Sequence, residues 1–176
     1  ISSSWVLNND WNAPSNNPQA VEFRFKNNIL PYNTGSVISQ SLWSTDQNVK
    51  LVLRYTGSGY NSGSYLGQPV DPYYQYALLD FIPDPASPNS SASVYLPFYN
   101  EGWWSVLVNK NSNTYTLYAK NKNYNGEDGN TISFQASSSI TSAASSWNSS
   151  TKSYFGISSS LAGKIFTGSL QEIRYY

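Results

Sequence analysis

The densest gathering of chemically useful side chains lies in a glycine-rich stretch and its exit, residues 57–74. Tyr60, Tyr65, Tyr73 and Tyr74 crowd this segment, with Asn61, Gln68 and Asp71 as polar neighbours. An aromatic ring offers a flat apolar face with a polar tip. A pyranose carries a matching apolar C–H face, and amide or carboxylate groups can satisfy its hydroxyls. Trp11 and Trp147 also stand in polar surroundings, between Asp10 and Asn12 and between Ser146 and Asn148. The ligand-binding candidates are therefore Tyr60, Asn61, Tyr65, Asp71, Tyr73 and Trp147. The competing reading is structural, because aromatic bodies are usually largely buried and can simply pack beneath loops.

Other chemistries find less material. The chain has no cysteine, histidine or methionine. Disulfides, thiol nucleophiles, Cys/His zinc sites and a Ser-His-Asp triad are excluded. Calcium needs several converging oxygens. Asn8-Asn-Asp-Trp-Asn12 and Asn125-Gly-Glu-Asp-Gly-Asn130 supply oxygens but not the spacing of a calcium loop, and read as turns. We expect no catalytic residue, no metal and no cofactor.

Ten basic and ten acidic residues cancel, and charged residues make up only 11% of the chain, so no basic stripe exists to displace counterions from nucleic acid. There is no apolar run long enough to span a membrane as a helix. Aromatic residues at 16% supply a core, while Ser, Asn, Thr and Tyr supply the polar bulk. That balance favours strands and turns over helices. The 176 residues suit one domain, 1–176, and the absence of an initiator Met suggests a piece of a longer polypeptide. Asn89-Ser-Ser and Asn148-Ser-Ser match the glycosylation acceptor pattern.

The elements that must hold any site are strands. Val21–Lys26 alternates, with Val21, Phe23 and Phe25 predicted inward and Glu22, Arg24 and Lys26 outward. Further strands are predicted at Val37–Trp43, Val49–Tyr55, Tyr74–Ile82, Ser93–Tyr99, Trp103–Val108, Thr114–Lys120, Thr131–Ala136 and Tyr154–Ser158. Lys110–Asn113 reads as a hairpin turn, and Ala136–Ser150 as a loop. Trp104 is predicted to be core, in phase with Val106 and Val108. In the last segment, Phe166, Gly168 and Leu170 alternate, but the next apolar positions are Ile173 and Tyr175. The slip predicts a β-bulge at Gln171-Glu172, in a strand that completes a sheet.

Gly168-Ser-Leu-Gln-Glu-Ile-Arg-Tyr-Tyr176 resembles the closing strand of concanavalin A-like and laminin-G-like jelly rolls, including domains in structural proteins of large algal viruses and phages. Ala20-Val-Glu-Phe-Arg-Phe-Lys26 is similar to the family's early strand, with Arg24 in place of an aromatic residue. Gly102-Trp-Trp-Ser-Val-Leu-Val108 followed by Asn113-Thr-Tyr-Thr-Leu-Tyr-Ala119 is similar to its central hairpin. The resemblance implies an all-β, two-sheet antiparallel jelly-roll sandwich (concanavalin A-like). Retaining glycosidases of that fold carry a Glu-x-Asp-x-x-Glu strand, with carboxylates ~5–5.5 Å apart. The nearest match is Asp80-Phe-Ile-Pro-Asp84, which lacks Glu and is broken by Pro83. The expected function is non-catalytic: a glycan-binding or attachment module on a viral or other surface protein. Its partners would be a glycan or cell-surface polysaccharide and neighbouring domains of a larger polypeptide, with no nucleic acid and no membrane span. The expected location is extracellular or on a virion surface. The alternative is a structural capsid, spike or fibre domain that binds no sugar.

Overall fold

The computed structural model describes residues 5–8, 20–27, 38–45, 49–55, 76–84, 86–87, 90–124, 131–142, 152–156 and 165–176. They form eleven strands: β1 (Trp5–Asn8), β2 (Ala20–Asn27), β3 (Ile38–Thr45), β4 (Lys50–Tyr55), β5 (Ala77–Ile82), β6 (Ala92–Leu96), β7 (Trp104–Asn111), β8 (Thr114–Tyr124), β9 (Thr131–Thr141), β10 (Lys152–Phe155) and β11 (Gly168–Tyr175). A six-stranded sheet runs β1-β10-β3-β4-β5-β6 and a five-stranded sheet runs β11-β2-β7-β8-β9. All of these strand pairs are antiparallel, and one isolated parallel bridge joins Ser41 to Ile165. The chain passes between sheets repeatedly, as an antiparallel jelly roll requires.

The alternation read from the sequence decides which side of each strand is core. Val21, Phe23 and Phe25 on β2 face Trp104, Val106 and Val108 on β7 in register, and all six are essentially fully buried. Within the six-stranded sheet Trp43 stacks on Phe81 at 6.4 Å, and across the sandwich Phe23 meets Phe155 edge-on at 5.5 Å. Phe98 packs on Trp104 with ring centroids 4.6 Å apart. Rings of this size carry much of the apolar area that offsets chain entropy.

At one end of the core the β6–β7 connection is held by amides. Asn27 Nδ2 donates to the Phe98 carbonyl at 3.0 Å, and Asn121 Nδ2 donates to the Trp103 carbonyl at 2.9 Å. Asn100 Oδ1 accepts from the Gly102 amide and from Trp104 Nε1, at 3.0 and 3.2 Å. These bonds satisfy polar groups that burial would otherwise strand.

The closing strand behaves as its phase slip predicts. β11 pairs with β2 from Gly168 to Gln171, the register shifts, and pairing resumes at Arg174. Glu172 takes a φ of 55° at the bulge, and Leu170, Ile173 and Tyr175 pack against the core on either side of it. Gly168 is fixed by space: a Cβ there would lie 2.3 Å from the Lys26 carbonyl and 2.4 Å from the Phe166 ring.

Several boundaries differ from the sequence expectation. β6 ends at Leu96, and Pro97–Asn100 turn instead of extending the strand to Tyr99. β5 begins at Ala77, later than the Tyr74 predicted. β7 runs to Asn111, leaving Ser112 and Asn113 as the hairpin loop, with Ser112 at φ 55°. β9 runs to Thr141, so Ser137–Thr141 is strand and not loop. Serine shows no alternation of its own, and that stretch is extended because β8 offers it an unbroken ladder. β1 was not foreseen at all.

Candidate functional site

All six sequence-derived candidates, Tyr60, Asn61, Tyr65, Asp71, Tyr73 and Trp147, lie outside the described residues, as do Trp11, Gln68 and Tyr74. What the described residues do bring together is a patch on the outer face of the five-stranded sheet. Because Tyr115, Leu117 and Ala119 of β8 point into the core, Thr116, Tyr118 and Lys120 point out. Register then fixes their neighbours. Leu107, Tyr118 and Ser137 form one row across β7, β8 and β9. Asn109, Thr116 and Ser139 form the row on one side of it, and Ser105, Lys120 and Gln135 the row on the other.

Tyr118 occupies the centre of this grid and is 45% exposed, although it is a large aromatic residue. Its neighbours are Leu107 on one side and otherwise short hydroxyl and amide groups, with a single charge, Lys120. Thr116 Oγ1 and Ser139 Oγ lie 2.9 Å apart in a hydrogen bond, which holds one edge of the patch in place. With strands about 4.8 Å apart and same-face residues about 6.8 Å apart along a strand, the grid is wide enough for a pyranose and its first neighbour.

Towards β11 the same face becomes charged. Arg24 bonds Glu172 at 3.2 Å, Arg174 bonds Glu172 at 3.4 Å and lies 3.6 Å from Glu22, and Tyr176 donates to Glu22 at 3.0 Å. Arg24 also sits over the Trp103 ring at 5.7 Å. These ion pairs are solvent-exposed and individually weak, but together they hold the bulge of β11 against β2.

The acids nearest to a hydrolase pattern are structurally engaged. Asp80 on β5 is buried, forms an ion pair with Arg54, and accepts a hydrogen bond from Ser93 Oγ at 2.5 Å. Asp84 accepts from the Ala86 amide at 2.9 Å and its carbonyl accepts from the Ser87 amide, so it organises the turn after β5. Neither carboxylate is presented as a free acid beside the other. Among the described residues no group of three or more metal-ligating side chains gathers, and no helix is long and apolar enough to cross a membrane.

The phenols divide sharply. Burial pushes the Tyr99 hydroxyl well above the ordinary tyrosine range, and the neighbouring Tyr55 adds to this. Burial also raises Tyr115, three residues from the exposed Tyr118 on the same strand.

No protein-family model matches the chain, and no curated protein matches it. A solved structure does. The carbohydrate-binding module CBM40 of the Ruminococcus gnavus IT-sialidase aligns over 99% of this chain and 85% of its own, at 13% identity and a TM-score of 0.48.

The sequence reading overlooked Tyr118, although the signal was present. Once Tyr115, Leu117 and Ala119 are taken as core, Tyr118 must point outward, and a tyrosine between Thr116 and Lys120 in that phase stands on a polar face.

Proposed function

We propose that this domain is a non-catalytic glycan-binding module, displayed on a larger virion or extracellular surface protein. The observation that carries the reading is Tyr118, an exposed ring at the centre of a polar sheet face that bears hydroxyls and amides on neighbouring strands. A sugar stacks its C–H face on the ring, while Thr116, Ser137 and Gln135 exchange hydrogen bonds with its hydroxyls. The near-neutral character of the β7–β8–β9 side suits an uncharged saccharide, and Lys120 offers one contact to an acidic substituent. Tyr60, Tyr65 and Trp147, with Asn61, Asp71 and Tyr73, are the loop contacts proposed to extend the site. Such a surface is shallow, so affinity per site is low and grows with multivalent display.

A glycan array probed with the domain at high valency tests this reading. Binding by the wild type, weakened about tenfold by Tyr118→Ala with the fold intact, supports it. Silence across algal, bacterial and animal glycans favours a structural capsid, spike or fibre domain. Loss on Tyr60→Ala, Tyr65→Ala or Trp147→Ala but not on Tyr118→Ala moves the site to the loops. Release of reducing sugar from a polysaccharide would overturn the non-catalytic assignment.

A further inference from the structure

We propose that two copies of this chain associate through β9, pairing antiparallel about a two-fold axis at Ala136 to make one continuous ten-stranded sheet. The five-stranded sheet has two edges, β11 and β9. An exposed edge is a template for another strand, and proteins blunt it with bulges, charges or proline. β11 is blunted: it carries a bulge, a positive φ at Glu172 and an Arg–Glu network. β9 has none of these devices. It is eleven residues long, pairs with β8 from end to end without a register shift, and contains neither charge nor proline. Among the described residues, no strand other than β8 forms a ladder with β9.

The occupant is written in the strand itself. Thr131-Ile-Ser-Phe-Gln-Ala-Ser-Ser-Ser-Ile-Thr141 reads Thr-Ile-Ser inward from both ends, with Ala136 at its centre. In an antiparallel pair of identical strands centred there, position 131 meets 141, 132 meets 140 and 133 meets 139, so like faces like at both ends. Gln135 meets Ser137 of the second copy, amide to hydroxyl. Directly opposed residues share a face, so the exposed Gln135, Ser137 and Ser139 stay on the outer side and the core-facing residues stay on the inner side. A two-fold contact of this kind is closed and consumes the edge on both copies, which prevents open-ended stacking. β9 also packs against β6, where the Ser93 amide donates to Ser138 Oγ at 3.1 Å. That bond uses a side chain, and among the described residues no backbone hydrogen bond joins β6 to β9.

The pairing would set two Tyr118 patches on one outer face, three strand spacings or about 14 Å apart. This consequence rests on the glycan reading; the dimer itself does not.

Sedimentation of the chain over a range of concentrations tests the proposal. The expected result is a concentration-dependent dimer that Ser137→Lys combined with Ser139→Lys converts to a monomer with an unchanged far-UV circular dichroism spectrum. Ser169→Lys, on the opposite edge, should leave the dimer intact. Because the chain has no cysteine, register is read separately. A mixture of the Gln135→Cys and Ser137→Cys proteins, bridged by a short bismaleimide, should cross-link more completely than either protein alone. A monomer at every concentration, a dimer that survives the paired lysines or is lost with Ser169→Lys, open-ended oligomers, or equal cross-linking of the single proteins would each overturn it.

Discussion

On the six-stranded sheet, Leu78, Asp80 and Tyr95 point away from the core yet are only 4%, 2% and 6% exposed, whereas Tyr118 on the five-stranded sheet, in the same outward phase, is 45% exposed. Both faces obey the same period of two, because Ala77, Leu79 and Phe81 belong to the core cluster just as Tyr115, Leu117 and Ala119 do. Alternation therefore separates core from outer face, but it does not separate dry from wet. The dry outer face demands partners for its polar groups: Asp80 has Arg54 and Ser93, and Tyr76 packs on Tyr95 at 5.3 Å. The wet face can leave its hydroxyls and amides to solvent, and so can exchange them with a ligand.

The contrast predicts different responses to like changes. The largest effect should come from Leu78→Ala, which removes about 2–4 kcal/mol of stability, while Leu107→Ala on the other sheet should cost under about 1 kcal/mol; urea unfolding of the two variants compares them directly. Equal costs would show that the two outer faces do not differ. Asp80→Asn should follow, losing about 1.5–3 kcal/mol as charge-assisted bonds to Arg54 and Ser93 weaken, with glycan binding unaffected. Tyr118→Ala should do the reverse, lowering apparent glycan affinity about tenfold and shifting stability by no more than about 0.5 kcal/mol.

A pH scan sharpens the same division among phenols. Tyr99 is buried with no hydrogen-bond partner on its hydroxyl among the described residues, and its folded pKa is raised above the ordinary 10.0. Folding keeps the phenol neutral, so its contribution is fully present below about pH 10 and falls away as the pH rises above that value and the unfolded chain ionises. The urea midpoint should thus decline above pH 10, with Tyr115 adding in the same sense, and Tyr99→Phe should flatten part of the decline. The smallest effect is expected for Glu172→Gly, within about 0.5 kcal/mol, because the eased backbone at φ 55° offsets the loss of exposed ion pairs.

Much of the fold was legible wherever a strand carries its own alternation. Phe23, Phe25 and Trp104 could be assigned to the core from two or three neighbours along the strand, and all three are buried. The bulge at Glu172 was legible for the same reason, as a break in a local period. Ser137–Thr141 was not, because serine tolerates loop and strand alike and only the length of β8 decides between them. The candidate site was less legible still. Exposed rings were sought in loops, and the six residues named there lie outside the described structure, while Tyr118 was hidden inside a strand that reads as scaffold.

The amino-acid sequence alone determined the all-β character, the inward faces of β2, β7 and β11 and the absence of cysteine and histidine chemistry, since these depend on composition and on spacing along one chain. Tertiary structure decided which strands are neighbours, and with that everything defined across strands. It made β9 an edge, gave Asp80 its partners, and set Leu107, Tyr118 and Ser137 in one row. Cross-strand register joins residues far apart in sequence, and no local period encodes it.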